Sequence, residues 1–168
     1  MSGTDQIDWG SEQRVEYLGK FESIKARKLE MVKPIAIIYN PHSGKKTNLV
    51  PMIEERLNTE KIPFKLLPTG KALDTFLFAK DLDIDEYSAI VAAGGDGSYH
   101  EVINGMLARP DGKKLPLGFI PNGSGNDLCT SLGMLNLQDA LDYIVSKTVA
   151  KFDVIKVMAD HESEESLP

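Results

Sequence analysis

Short apolar segments alternate with helical patterns from Pro34 to about residue 150, and this alternation limits the possible folds more than any other feature of the chain. The predicted strands are Ile35–Tyr39, Phe64–Leu67, Ser88–Ala93 and Leu117–Ile120, and the predicted helices are Leu49–Leu57, Ala72–Leu82, Ser98–Ala108 and Leu137–Ser146. A chain in which strands and helices strictly alternate forms a parallel sheet with right-handed crossovers. The sequence therefore predicts an α/β protein with a doubly wound, Rossmann-like parallel sheet over residues 34–150.

Composition excludes several classes of protein. The chain has 168 residues, and its 19 Lys and Arg against 25 Asp and Glu give a formal net charge of −6, so we expect no nucleic-acid partner. Cys129 is the only cysteine, which excludes an internal disulfide and favours a reducing compartment. The apolar runs are far shorter than the ~20 residues of a membrane span, and the first residues lack a signal-peptide pattern. We therefore expect a cytoplasmic protein.

The two ends of the chain depart from the α/β pattern. Residues 1–33 form a charged extension that we predict to be helical, with an apolar stripe at Tyr17, Phe21, Ile24 and Met31. Either its basic residues attract anionic lipid, or the helix is solvated and docks on the domain or on a partner. Residues 151–168 begin with an alternating stretch, Lys151–Ala159, that is typical of a half-exposed antiparallel strand, and they end in an acidic tail.

Three of the predicted strands run directly into loops of small and turn-forming residues. These loops are "NPHSGKK" at residues 40–46, "GGDGS" at residues 94–98 and "PNGSGND" at residues 121–127. In an open parallel sheet the carboxyl ends of the strands share one edge, so the three loops can converge on one crevice. Glycine lets backbone amides approach a phosphate closely, and the serine hydroxyls and the charge of Lys45 or Lys46 add to that chemistry. The loops therefore indicate a polyphosphate site.

Asp96 stands among these amides, where a carboxylate would repel a phosphate. At a phosphate site it needs a role, such as accepting a proton from an attacking hydroxyl or holding Mg²⁺. The alternative is structural, because aspartate often caps a helix, and the predicted helix begins at Ser98. Glu101 lies in the first turn of that helix, where it either supports the site or only favours the helix dipole. The residues alone leave both pairs of alternatives open.

At these loops the sequence resembles the diacylglycerol kinase catalytic domain family, which includes sphingosine, ceramide and bacterial lipid kinases. "NPHSG" is similar to the family's N-P-x-S-G, "GGDGSYHEVINGM" to G-G-D-G-T-x-x-E-V-x-N-G, and "PNGSGNDLCTSLG" to P-x-G-T-G-N-D-x-x-x-x-L-G. The three motifs occur in the same order and span residues 35–133. Two family threonines are serine here, at Ser98 and Ser124, so each position keeps its hydroxyl.

The resemblance implies transfer of the γ-phosphate of ATP, with Mg²⁺, to the free hydroxyl of a lipid such as diacylglycerol or a sphingoid base. It implies a catalytic role for Asp96, as general base or magnesium partner, with Glu101 in support. Residues implied to contact the nucleotide are Asn40, Ser43, Gly44, Lys45, Gly94, Gly95, Gly97, Ser98, Gly123, Ser124, Gly125 and Asn126. Peripheral contact with a membrane would accompany such a substrate.

Family members continue into a β-sandwich domain that supplies most of the lipid pocket, and "FDVIKVMADHE" resembles its first strand. We therefore expect residues 151–168 to be the start of a second domain, and exposed apolar residues there to favour self-association. Two alternatives to a lipid kinase remain at this point. One is a phosphotransferase like NAD kinase or phosphofructokinase, and the other is a shortened, non-catalytic form that binds nucleotide or regulates other chains.

Overall fold

The computed structural model describes residues 27–41 and 49–155, and its main feature is a parallel sheet of four strands. The strands are β2 (Ile35–Tyr39), β3 (Phe64–Pro68), β4 (Ala89–Gly94) and β5 (Leu117–Pro121), and they lie in the order β3-β2-β4-β5. Strands β2 and β4 occupy the centre, and their runs "IAIIY" and "AIVAAG" are almost entirely buried. Continuous apolar runs of this kind are expected of parallel strands that are covered on both faces.

The helices cover both faces of the sheet. They are α1 (Leu49–Thr59), α2 (Asp74–Asp81), α3 (Asp96–Leu107), α4 (Asp127–Ser131) and α5 (Leu137–Ser146), and a 3₁₀ turn spans Ile84–Glu86. The chain moves one way across the sheet through α1 and the other way through α2, so right-handed crossovers place these helices on opposite faces. Accordingly, α2 packs against α3, whereas α5 contacts α1 and β5. The prediction of a doubly wound α/β fold is confirmed.

The helix and strand boundaries differ little from those predicted, with two exceptions near the loops. Helix α3 begins at Asp96 and not at Ser98, so Asp96 lies in its first turn and Gly95 is the N-cap residue. Helix α4 was not predicted, because five residues are too few to show an apolar period. It places a helix N-terminus directly after the loop at residues 121–126.

The prediction of a helix reaching Met31 is wrong for the part of it that the structure describes. Arg27–Lys28 forms β1, which pairs antiparallel with β6 (Thr148–Val149). The Leu29 amide donates to the Lys147 carbonyl at 2.7 Å, and the Lys28 ammonium donates to the Ser146 carbonyl at 2.7 Å. These contacts join residues far apart in sequence, which helical periodicity cannot reveal. The other members of the predicted stripe, Tyr17, Phe21 and Ile24, lie outside the described residues.

The predicted strand Lys151–Ala159 is not formed over residues 151–155, the part of it that the structure describes. Lys151–Ile155 has no regular secondary structure, and residues 156–159 lie outside the described ranges. A strand needs a neighbour to receive its backbone hydrogen bonds, and within residues 27–41 and 49–155 none pairs with Lys151–Ile155. The side chains of Phe152, Val154 and Ile155 are consequently exposed.

Candidate functional site

The glycine loops after β4 and β5 touch each other through their backbones. The Asn122 amide donates to the Gly94 carbonyl at 2.7 Å. A Cβ atom on Gly123 would lie 2.6 Å from the Gly95 Cα atom, and one on Gly95 would lie 3.1 Å from the Gly123 Cα atom. Side chains at either position would force the loops apart, so glycine is required here for the close approach of one backbone to another.

Asn126 shapes the second of these loops. Its side-chain oxygen accepts from the Gly123 amide at 2.9 Å, and its side-chain nitrogen donates to the Gly123 carbonyl at 2.8 Å. Its backbone is left-handed, with φ of 62°, a conformation that asparagine tolerates better than most residues. Asn126 therefore closes residues 123–126 into a tight turn immediately before α4.

The Asp96 carboxylate joins the two loops, because it accepts a hydrogen bond from the Leu128 amide of α4 at 3.2 Å. Asp96 thus caps α4 and is not the N-cap residue of its own helix, so the interpretation of Asp96 as the cap of α3 is wrong. Hydrogen bonds from backbone amides, that of Leu128 above all, lower the pKa of Asp96 although partial burial opposes them. A carboxylate held in this way stays ionised at neutral pH, which suits the binding of a cation.

Two carboxylates approach the backbone at Gly125. A Cβ atom built on Gly125 would lie 2.9 Å from an oxygen of Asp96 and 3.8 Å from an oxygen of Asp127. No group of three or more His, Cys, Asp or Glu side chains able to hold a metal occurs in the described parts of the chain. Mg²⁺ usually takes one or two protein carboxylates and completes its coordination with phosphates and water, so this pair fits Mg²⁺ bound together with a nucleotide.

The other residues predicted for the site fall into three groups. Gly94, Gly97, Ser98, Glu101 and Ser124 lie in or beside the two touching loops, and at Gly94 a Cβ atom would overlap the Ser98 hydroxyl. Asn40 directly follows Tyr39, which pairs with Ala93 of β4, so it lies at the same edge of the sheet. Ser43, Gly44 and Lys45 lie outside the described residues.

Two buried residues at this edge were not among those predicted. The Tyr99 hydroxyl lies 2.7 Å from the Gly94 carbonyl and 3.0 Å from the Ile120 carbonyl, and the Cys129 thiol donates to it at 3.2 Å. Burial raises the pKa of both side chains, so both stay protonated at neutral pH. In the sequence, Tyr99 looks like one more apolar residue of α3, and Cys129 belongs to a helix that was not predicted.

This sheet order, with two glycine-rich loops in contact at its carboxyl edge and a carboxylate between them, defines the class of the chain: an open, doubly wound α/β domain with a loop-built site. The family model described as "Diacylglycerol kinase catalytic domain" matches residues 34–157. The chain belongs to this family, and the resemblance carried by the three motifs is confirmed.

Two curated relatives agree with that assignment, and a solved structure shares the fold. The chain is 35% identical over 127 residues to "Sphingosine kinase B" of Dictyostelium discoideum, covering 73% of this chain and 17% of the relative. It is 35% identical over 130 residues to "Diacylglycerol kinase" of Staphylococcus aureus, covering 76% of this chain and 41% of that protein. A crystal structure of a diacylglycerol kinase from Bacillus anthracis superposes with a TM-score of 0.60 at 24% identity, over 70% of this chain and 44% of the other. The chain therefore spans less than half the length of these relatives.

The structure contains no candidate for a membrane-spanning segment among residues 27–41 and 49–155. None of the helices there is both long enough and apolar enough to cross a bilayer.

Proposed function

We propose that this chain is the nucleotide-binding part of a lipid kinase, which transfers the γ-phosphate of ATP to a hydroxyl of a lipid such as diacylglycerol or a sphingoid base. Membership of the diacylglycerol kinase catalytic domain family and the names of the relatives support a lipid acceptor over NAD or a sugar phosphate. The observation that carries the proposal is the contact between loops 94–98 and 121–127, which brings backbone amides, Asp96 and the N-terminus of α4 to one place.

In this proposal the phosphates of ATP lie along the two touching loops. The amides of Gly95, Gly97 and Ser98 begin α3, where unpaired N–H groups and the helix dipole favour an anion. Gly94 lets the backbone come close to the phosphates. The other side of the phosphate site is formed by Gly123, Ser124, Gly125 and Asn126. Asn40 borders the site from β2, together with Ser43, Gly44 and Lys45, which remain predictions because they lie outside the described residues.

Asp96 is the residue to which we assign the catalytic role, with Asp127 nearby. When Mg²⁺ is bound, it neutralises charge on the phosphates as the γ-phosphoryl group is transferred. Asp96 and Asp127 would hold it beside Gly125. The lowered pKa of Asp96 keeps it ionised but makes it a weaker proton acceptor than a group whose pKa lies near neutrality, which favours the magnesium role over that of general base. Glu101, in the second turn of α3, is assigned a supporting position.

The two ends of the chain lie outside the proposed kinase domain. Residues 1–33 would be an extension and residues 34–150 the kinase domain. Residues 151–168 would be the start of a β-sandwich domain that completes the lipid pocket, and the strand predicted there would form by pairing within that domain. We propose a cytoplasmic enzyme that contacts membranes peripherally, since its substrate resides there.

Asp96→Asn tests the proposal directly, in a protein that carries this domain with its lipid-binding half. Asparagine keeps an oxygen that can accept the Leu128 amide, so we expect the thermal midpoint to change little while phosphoryl transfer falls by about 100-fold or more. Radiolabelled transfer from ATP to diacylglycerol and sphingosine measures the activity. Asp81→Asn, an exposed change at the far end of α2, is the matched control. Near-normal turnover in Asp96→Asn would refute the assignment.

A further inference from the structure

Tyr99 and Cys129 form a polar cluster inside an otherwise apolar core, at the carboxyl ends of the two strands that lead into the touching loops. Tyr99 is 1% exposed and Cys129 is fully buried. The single hydroxyl proton of Tyr99 is shared between the carbonyl of Gly94, the last residue of β4, and that of Ile120 in β5. The Cys129 thiol donates to the same hydroxyl oxygen, so this one oxygen links two strands and α4.

Each partner lies close in sequence to one member of the Asp96–Leu128 hydrogen bond. Tyr99 is one turn along α3 from Asp96, and Cys129 directly follows Leu128 in α4. Phe119 packs edge-on against the Tyr99 ring, with the centroids 5.1 Å apart, which holds the ring in place from β5. The hydroxyl and the thiol therefore connect α3 to β5 and α4. The distance between α3 and α4 determines where the Asp96 carboxylate lies relative to the loop at residues 121–127.

The chemistry of the pair indicates a structural link and not a reactive group. Burial keeps both side chains protonated, and a protonated, buried thiol is a poor nucleophile. A tyrosine hydroxyl buried in an apolar core without hydrogen-bond partners would be destabilising, but the Tyr99 hydroxyl both donates and accepts hydrogen bonds. Tyr99 and Cys129 also occupy positions that the family motifs quoted above leave unspecified, so the motifs assign neither residue a role.

We propose that the Tyr99 hydroxyl and the Cys129 thiol act as a clasp that fixes loops 94–98 and 121–127 against each other and so positions Asp96 for its reaction. Tyr99 and Cys129 are positioning residues in this scheme, and they need not touch the nucleotide. The positioning role rests on the proposed function, whereas the clasp itself does not.

Four variants of the 168-residue chain separate the clasp from ordinary packing. Tyr99→Phe keeps the ring and its contact with Phe119 but removes the shared oxygen. Cys129→Ala removes the thiol donor, and Cys129→Ser restores a donor at the same position. Ile53→Val removes one methylene from the fully buried side of α1, away from both loops, and is the control for general destabilisation.

Backbone amide hydrogen exchange, measured residue by residue by NMR, tests the clasp without any ligand. In Tyr99→Phe we expect exchange at Asn122 and Leu128 to accelerate about two- to tenfold relative to the rest of β4 and β5, the scale of one lost neutral hydrogen bond. Cys129→Ala should act in the same direction and Cys129→Ser less. The effects of Tyr99→Phe and Cys129→Ala should be less than additive in the double variant, because both remove the same link.

Titration with Mg-ATP tests the positioning role. We expect Tyr99→Phe to weaken Mg-ATP binding about two- to tenfold and Ile53→Val to leave it unchanged. Unchanged exchange at Asn122 and Leu128, or a uniform increase that Ile53→Val reproduces, would overturn the clasp. Loosened loops with unaltered Mg-ATP affinity would overturn the positioning role alone. If the unaltered chain binds no Mg-ATP, the proposed function and the positioning role both fail, and the exchange data still decide whether the clasp exists.

Discussion

Gly95 and Gly123 show how a glycine motif can serve two purposes at the residue scale. The sequence suggests that glycine brings backbone amides close to a phosphate. In the structure the same two residues also let the loops lie close to each other. A Cβ atom on either glycine would meet the backbone of the other. The contact between loops is therefore a property of the folded domain before any ligand binds.

Gly123→Ala should separate the two loops. The new methyl group would meet the Gly95 backbone, which cannot rotate away as a side chain could, and we expect a loss of about 1–3 kcal/mol in the free energy of unfolding. Urea denaturation measures that loss. Ser124→Ala, an exposed change in the same loop, should cost far less. Equal stabilities for the two variants would contradict the close approach of the loops.

At the scale of secondary-structure elements, α3 packs on α2 through Gly105. A Cβ atom on Gly105 would overlap the Phe76 carbonyl oxygen and lie 2.9 Å from the Ala79 Cβ atom. The glycine therefore allows the two helix backbones to approach, and it fixes where α3 runs from Asp96 onward. The family motif includes this glycine, and the close packing of α3 on α2 is sufficient reason for a glycine at this position.

Gly105→Ala and Gly97→Ala form a matched pair within α3. Both raise intrinsic helix propensity, but Gly97 has open space around it whereas Gly105 does not. We expect Gly97→Ala to be neutral or stabilising and Gly105→Ala to lower the free energy of unfolding by about 1–3 kcal/mol. Thermal and urea unfolding measure both. If Gly105→Ala is as stable as Gly97→Ala, the described α2–α3 contact is wrong.

Arg109 ties the end of α2 to the turn that follows α3. Its buried guanidinium lies within 3.1 Å of the carbonyls of Ala79, Lys80 and Leu82, and it makes a paired hydrogen bond with the Asp111 carboxylate. These carbonyls lack partners within the helix, so the arginine satisfies the C-terminus of α2. Asp111 balances a charge that would otherwise be buried alone.

The acid dependence of stability should report the Arg109–Asp111 pair. The Arg109 guanidinium lowers the pKa of Asp111 in the folded protein. The ion pair therefore adds to the free energy of unfolding at pH values above the unfolded-state pKa of about 3.9. This stabilisation is lost as the pH falls through the lower pKa of the folded state. The stability difference between the parent chain and Asp111→Asn should be largest above about pH 5 and should shrink below about pH 4. Urea unfolding between pH 2.5 and pH 7 measures the difference. A constant difference across this range would argue against the ion pair.

At the scale of the whole molecule, the chain leaves apolar side chains exposed after the α/β domain. Ile155 is 82% exposed, and Phe152 and Val154 are exposed beside it. The chain also spans 41% of the S. aureus relative. In the proposed kinase, the β-sandwich domain would hold the acceptor hydroxyl in line and exclude water from the site.

We therefore expect the 168-residue chain alone to bind Mg-ATP weakly, to show little or no lipid kinase activity, and to self-associate. Isothermal titration, transfer of labelled phosphate to several lipids, and light scattering measure the three properties. Ile155→Lys should reduce the scattering without changing the thermal midpoint, because the side chain is exposed. Robust turnover by a monomer would show that residues 1–168 suffice for catalysis.

The sequence by itself determined the α/β class, the central strands and helices to within two residues, and the edge of the sheet where the loops meet. Ile35–Tyr39 and Leu137–Ser146 were predicted with the boundaries that the structure has. These features are local, because an apolar period or a glycine turn depends only on residues that are close together in the sequence. Asp96 was singled out for the same reason, as a carboxylate within a run of glycines.

Only the tertiary structure decided what these residues touch. The bond from Leu128 to Asp96, the contact of Gly95 with Gly123, the Tyr99–Cys129 link and the pairing of β1 with β6 each join residues distant in the chain. The first three exist because β4 lies beside β5, an order that local patterns do not specify. Secondary structure follows from short-range periodicity, but the partner of a side chain follows from the path of the whole backbone, and the candidate site consists mostly of such partners.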